Sequence, residues 1–393
     1  MIVRYVAKEE LDMEKRRYSQ FDLIRLVAMS MMFMCHATDP YMANLTYGNA
    51  GVSIPDDLAV WAARFGAFVR PCIPLFVMLT GALLLPVRME MGAFYKKRIS
   101  RVLFPFLIWS SLYYLTPWLT GLAGMDKSVV YKLFAWAETD DQTLGQALSL
   151  IVRIPYHFSF LACHVWYIYV LIGIYLYLPV FSAWVEKATR RQKELFLGIW
   201  AVSLLLPYFT EFVERYAFGT CEWNAFGLFY YFAGFNGYLL LGHYLHRYVS
   251  WGMTKRVVVA LPLWGIGYAV SLFGYQYIMS LETQTPEQVE LFWTYCTPNV
   301  AMMSMAWFMT LYAVVPKAQG SVARCLSNLT ECGFGMYMIH YFFIYLGFLV
   351  SNAVGLPSCL RIPCSALVIL VCAWTMTDLA KHWMGRRSVW LLG

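Results

Sequence analysis

The sequence predicts an all-α fold, a polytopic transmembrane helical bundle of about ten spans with both termini cytoplasmic. Three observations carry this prediction. Of 393 residues, 60% are hydrophobic and only 13% charged, against roughly 25% charged in soluble domains. Apolar runs of roughly 17 to 25 residues recur, each long enough to cross about 30 Å of hydrocarbon. Lys and Arg are concentrated in alternate connections, as cytoplasmic loops require.

The runs lie near 22–46, 59–86, 103–123, 163–185, 195–210, 225–245, 257–280, 299–316, 333–354 and 362–380, the fifth and eighth having the weakest apolar signal. The tail 1–20 and the connections holding Arg88 to Arg101, Lys187 to Lys193, Arg247 to Arg256, and Lys317 with Arg324, together with Lys381, Arg386 and Arg387, carry 22 of the 30 cations. The alternate loops carry only Lys127, Lys132, Arg153, Arg215 and Arg361. Both termini therefore belong on the cytoplasmic side, which requires an even number of spans. No repeat, low-complexity tract or soluble appendage interrupts residues 1–393, which read as a single integral membrane domain with a cytoplasmic tail at 1–20. The tail is mixed in charge and lacks a small-residue cleavage site, so the first span is expected to remain as an anchor.

The net charge of +7 sits in short juxtamembrane clusters, which suit topology and anionic headgroups and exclude nucleic acid as the expected partner. Ten cysteines show no paired metal-ligand spacing, so no metal site is expected. Cys35, Cys72, Cys163 and Cys372 fall within spans as small apolar groups, whereas Cys221, Cys296, Cys359 and Cys364 fall in outer loops, where a disulfide or free thiols are both open.

Span 1 carries Asp22, Arg25 and His36. Eleven steps of about 100° return Arg25 and His36 to nearly one face, roughly 16 Å apart along the axis. An ionisable group inside a membrane span is a functional hypothesis by default. His36 is the candidate general base, since imidazole titrates nearest neutrality. Asp39, three residues on, is placed to hold its tautomer; the alternative is that Asp39-Pro40 only marks the outer end of the helix. Arg25 reads as an electrostatic group near a reacting thioester or a phosphate, or as the partner of Asp22 in a structural ion pair.

In span 2, Arg70 precedes Pro71 and Pro74, and a helix broken there can line a polar cavity. Arg70 then stabilises an oxyanion, binds an anionic acceptor, or pairs structurally. At the cytoplasmic start of span 3, Arg98 and Arg101 share a face, with Lys96 and Lys97 beside them. Two planar guanidiniums and two ammoniums suit phosphates, and positive-inside anchoring is the alternative. The longest connection, 124–162, holds Asp140, Asp141 and the periodic set Leu144, Leu148 and Ile151, which predicts a short amphipathic helix at the outer surface, as connector or lid.

These blocks, from Phe21 to about Tyr345, resemble the acyltransferase-3 family of polytopic membrane acyltransferases. Asp22, Arg25 and His36 resemble its opening D-x-x-R…H signature. Ile73-Pro74-Leu75-Phe76 through Thr80-Gly81 is similar to its helix 2 block, with Thr80 in place of the commoner Ser, and Arg98 and Arg101, followed by Phe104-Pro105 and Trp109, to its RxxR element. The run His164-Val165-Trp166-Tyr167 to Gly173 and Pro179 is similar to its helix 4 block, and Tyr337 to His340 to its late Y-x-x-H block. The resemblance implies transfer of an acyl group, usually acetyl, from cytosolic acyl-CoA to a hydroxyl of a cell-surface carbohydrate or its lipid-linked precursor. No permanently bound cofactor is implied; acetyl-CoA is the expected co-substrate. Because the chain ends soon after its last span, it is similar to the single-domain branch that modifies units such as the enterobacterial common antigen, in a bacterial plasma membrane.

His36, Arg25 and Asp39 are the expected catalytic residues, and Arg98, Arg101 and Lys97 the expected CoA contacts. Arg70, His164, Trp166, Tyr337 and His340 are expected to line the substrate cavity. The rival reading is a transporter or flippase of a glycan or small solute, since buried Arg and His also suit an ion path. Paired Gly/Pro-broken segments in two matching halves would favour it, and none is visible.

Overall fold

The computed structural model describes residues 2–46, 56–124, 142–213, 232, 234–314 and 320–393. Among them no strand occurs, and eight helices are long and apolar enough to cross a membrane. The chain is a multi-pass, all-α membrane protein.

The first helix, α1 (Ile2–Thr46), begins within the predicted tail and continues through Pro40, so Asp39-Pro40 does not end it. Span 2 is broken as expected at Arg70-Pro71 into α2 (Asp56–Val69) and α3 (Cys72–Leu84). Then follow α4 (Met91–Leu122), the short α5 (Leu144–Arg153), a 3-10 turn (Phe160–Val165) leading into α6 (Trp166–Lys187), and the fifth span, α7 (Arg190–Ser203) with α8 (Leu206–Phe212). The break between α7 and α8 lies at Leu204-Leu205, just before Pro207, whose missing N–H fits only the first turn of α8.

The predicted sixth and eighth spans are represented by α9 (Asn236–Tyr248) and α12 (Pro298–Ala313), of 13 and 16 residues, shorter than a lipid-facing span needs. Residues 225–231, 233 and 315–316 of those two predictions lie outside the described residues, as do Asp140, Asp141 and Cys221. The remaining helices are α10 (Met253–Met279), α11 (Pro286–Glu290), α13 (Gly320–Ile339), α14 (Ile344–Ala353), α15 (Ser358–Met384) and α16 (Val389–Leu392). The nine described cysteines form no disulfide.

Contacts divide the chain into two compact units, the first comprising Met1–Met32, Gly66–Pro86 and Ser182–Thr330, the second Phe33–Phe65, Val87–Phe181 and Glu331–Gly393. In the first unit α9 is buried from Gly237 to His243 against α3 and α7. Glycine makes this possible. A Cβ on Gly81 would lie 1.9 Å from the Leu239 carbonyl oxygen, and one on Gly242 2.0 Å from that of Met78. One turn later His243 Nδ1 meets the Leu85 carbonyl at 3.1 Å. These contacts bring α3 and α9 to backbone distance over Met78–Leu85 and Leu239–His243.

The pair α10 and α12 is antiparallel instead: Asn299 donates to Ser271 Oγ at 2.8 Å, while Arg256, near the start of α10, donates to the Met309 carbonyl at 3.1 Å near the end of α12. Arg256 also donates to the Val249 and Trp251 carbonyls, so its buried charge sits among helix-end and loop oxygens.

In the second unit α14 packs on α15, with Gly347 against Ser365. The C-terminal α16 packs on α4, where Trp109 Nε1 donates to the Leu391 carbonyl at 2.8 Å and Phe104 meets Trp390 edge-on at 4.6 Å. Helix α5 rests on α4 through the fully buried Ala147, whereas Leu144 and Leu148 face outward, an amphipathic face that suits a bilayer interface. Its start is fixed by a Thr143–Gln146 capping box.

Candidate active site

Helix α1 supplies the first element of the site. His36 Nδ1 and Asp39 Oδ2 lie 2.8 Å apart, one turn apart on one helix face, with side chains 17% and 24% exposed. An ionised carboxylate only accepts, so Nδ1 carries the proton and the lone pair stands on Nε2. The 3.6-residue period makes this pairing local: three residues after any helical histidine, an aspartate is within reach.

The second unit brings three histidines into a row. The His36 and His340 rings are 5.1 Å apart between centroids, and the His340 and His164 rings also 5.1 Å. His340, fully buried, has Nδ1 2.7 Å from the Tyr337 carbonyl, which can only accept, so its Nε2 again holds the lone pair and has no hydrogen-bond partner. His164 stacks on Tyr341 at 4.6 Å and meets Tyr113 edge-on at 5.0 Å, its ring nitrogens buried without a hydrogen bond of normal geometry. The Tyr337 hydroxyl donates to the His164 carbonyl, tying α13 to the turn before α6. Ala162 leaves helical geometry in that turn (φ −130°, ψ 53°), which offsets the His164 backbone from the axis of α6.

Residues 36, 39, 164, 337 and 340 of the expected site therefore converge. Tyr113 and Tyr341 join them and were not singled out from sequence. Tyr341 adjoins His340, and Tyr113 lies one helical turn beyond Trp109, which was the available signal. Trp166 starts α6 two residues from His164, its ring 6.0 Å from that of Tyr167.

Two expected residues belong to the first unit. Arg25 pairs with Asp22 at 2.8 Å, both side chains about one-third exposed or less. Arg70 is buried, its Nε donating to the Gly66 carbonyl at 3.1 Å. Its guanidinium lies 4.3 Å over the Trp293 ring, which itself stacks on Tyr275 at 3.9 Å, with Glu290 3.6 Å away. This arrangement gives Arg70 the structural pairing left open by the sequence. A desolvated cation–π contact contributes about 2 kcal/mol and a charged hydrogen bond about 1.5–3 kcal/mol. Arg70→Ala is accordingly expected to lower the melting temperature in detergent markedly, by several degrees, and Arg70→Lys to recover only part of it.

The basic start of α4 is in the second unit. Glu90 caps it, accepting from the Gly92 and Ala93 N–H groups at 2.8 Å each, which hold its carboxyl below the usual carboxylate range. Lys97 and Arg101 are exposed and Arg98 half-buried. Arg101 also donates to the Gly393 carbonyl at 3.3 Å.

A family model described as an acyltransferase domain matches residues 18–378, which includes His36, Asp39, Tyr113, His164, Tyr337, His340 and Tyr341. No curated protein and no solved structure matches the chain. The match spans nearly the whole bundle and contains both the histidine row and the basic start of α4; the chain belongs to the acyltransferase-3 family of membrane acyltransferases.

Proposed function

We propose that the protein transfers an acyl group, acetyl in the first instance, from cytosolic acyl-CoA to a hydroxyl of a cell-surface polysaccharide or its lipid-linked precursor. The observation that supports this reading best is the His36–Asp39 hydrogen bond of 2.8 Å, which leaves a basic imidazole nitrogen beside a buried histidine and tyrosine cluster. His36 Nε2 takes the proton of the acceptor hydroxyl as its oxygen attacks the thioester carbonyl. The C–S bond breaks, and the imidazolium returns the proton to the departing CoA thiolate. Asp39 holds the tautomer and offsets the positive charge while it lasts. Arg25, with Asp22 as its counterion, adds positive potential on the cytoplasmic side of α1.

Lys97, Arg98 and Arg101 serve as the cytosolic clamp for the CoA phosphates, with the pantetheine arm reaching inward toward His36. The Arg98→Ala, Arg101→Ala double variant is expected to raise KM for acetyl-CoA by about tenfold or more with little change in kcat, since each charged hydrogen bond contributes about 1.5–3 kcal/mol. Acetyl-pantetheine, which lacks the nucleotide phosphates, separates the clamp from general damage: its KM should be the same for both proteins.

The test of the function itself is acetyl-CoA consumption by purified protein with candidate glycans, paired with mass spectrometry of surface glycans from a deletion strain. Loss of one acetyl increment per repeat unit would identify donor and acceptor together. Absence of any acyl difference in glycans and lipid-linked precursors would overturn the proposal. Incubation with radiolabelled acetyl-CoA in the absence of acceptor distinguishes direct transfer from a route through acyl-His36.

A further inference from the structure

A cavity of about 580 Å³ opens in the first unit between α7, α9 and α12. Its walls are apolar, formed by side chains such as Leu197, Trp200, Leu204, Leu241 and Met305. Its size is that of a site for a discrete ligand rather than a packing defect.

Polarity is confined to one rim, built from Arg190, Tyr244, Tyr248 and Trp251. Each rim aromatic carries a cation. Arg190 lies 5.7 Å from the ring centres of both tyrosines, Lys193 Nζ donates to the Tyr248 hydroxyl at 3.1 Å, and Lys255 sits 4.6 Å over the Trp251 ring. Glu194, at 2.8 Å from Arg190, offsets one of these three charges and leaves the rim positive. The three cations belong to the clusters at 187–193 and 247–256 that the loop charges assign to the cytoplasmic side.

From this polarity we infer that the cavity binds one anionic phospholipid of the surrounding bilayer, an acyl chain along the apolar walls and the phosphate at the Arg190 and Lys255 rim, with the buried Lys193 charge behind Tyr248 adding to its positive potential. Soluble metabolites are disfavoured by walls without polar anchors, and zwitterionic lipids gain less from a positive rim. An anionic cytoplasmic leaflet presents the complementary headgroup at that depth.

Gly198 supplies the test, because it lines the cavity and a Cβ built on it meets nothing within 4 Å. Gly198→Leu therefore plugs the cavity without a backbone clash and favours the helix; Ala201→Leu on the same wall is the second plug. Native mass spectrometry of the detergent-purified full chain is run with added phosphatidylglycerol or phosphatidylcholine. The native protein should retain one phosphatidylglycerol, about tenfold or more over phosphatidylcholine, given roughly 1 kcal/mol per cation near a membrane surface. Both plugged variants should lose that adduct. Arg190→Gln with Lys255→Gln, which leaves the walls intact, should lose the headgroup preference. The inference is overturned if the adduct persists at the native level in folded plugged variants, if the two lipids are retained equally by the native protein, or if the double Gln variant keeps the preference.

Discussion

His36→Ala should reduce acyl transfer by about 10²- to 10⁴-fold, the range over which a positioned general base acts. The reason is chemical: a sugar hydroxyl is a poor nucleophile until a base takes its proton, and His36 is the histidine of the row with a carboxylate, Asp39, at 2.8 Å. His340 and His164 are each fully buried, and both lack such a carboxylate bond among the hydrogen bonds described above. Asp39→Asn tests the second half of the argument. The amide would offer an N–H where Nδ1 now finds a carboxylate, favouring the wrong tautomer, and a loss on the order of 10² in kcat with nearly unchanged KM is expected. Both variants keep the helix and should elute and melt like the native protein. Steady-state acetyl-CoA consumption, with thermal melting as the control, measures this. Full activity in His36→Ala would end the mechanism, and the clamp at α4 would then have to serve another base.

The largest effect on folding is expected at the α3–α9 contact. Gly242→Val would set a Cβ 2.0 Å from the Met78 carbonyl oxygen, and Gly81→Val one 1.9 Å from that of Leu239. Overpacking among side chains costs about 1–3 kcal/mol, because rotamers yield. Here the obstacle is helical backbone, so the helices must separate and the buried face of α9 loses its packing. Against a total stability of about 5–15 kcal/mol, either variant should fail to yield a monodisperse protein. Gly173 provides the contrast, since a Cβ on it meets nothing within 4 Å. Gly173→Ala should be neutral or stabilising by up to about 1 kcal/mol. Size-exclusion profiles and melting curves of the two substitutions in one detergent make the comparison; a native-like melt for Gly242→Val would refute the close contact.

Gly81 and Gly173 illustrate what was legible. Both stand in blocks that resemble the family, and in the sequence they are equivalent apolar-span glycines. Their difference depends on a helix more than 150 positions away in one case and on open space in the other. Arg70 is a similar case. A lone arginine beside two prolines reads as a cavity residue, but Trp293 and Glu290, more than 200 positions later, make it part of a stacked pair. The His36–Asp39 bond, by contrast, was readable, because an i, i+3 pair on a helix is set by local geometry alone.

The span count shows the same division. Helices facing hydrocarbon must be about 20 residues long and apolar; ten runs were marked by composition, and eight of the described helices reach that length and apolarity. Helix α9 is covered by protein along Gly237–His243, and α12 lies against α10, so neither is held to that length. The direction of α12, antiparallel to α10, comes from interhelical contacts.

By itself the sequence determined the all-α membrane class, the positions of most spans and the separate placement of His36 and the α4 cations, because hydrocarbon thickness and the helical period act on each segment independently. Only the tertiary structure decided that His36, His340 and His164 form one row, that Arg70 lies over Trp293 beside Glu290, and that a cation-rimmed cavity lies between α7, α9 and α12. Those properties depend on which surfaces meet, and no local period records that.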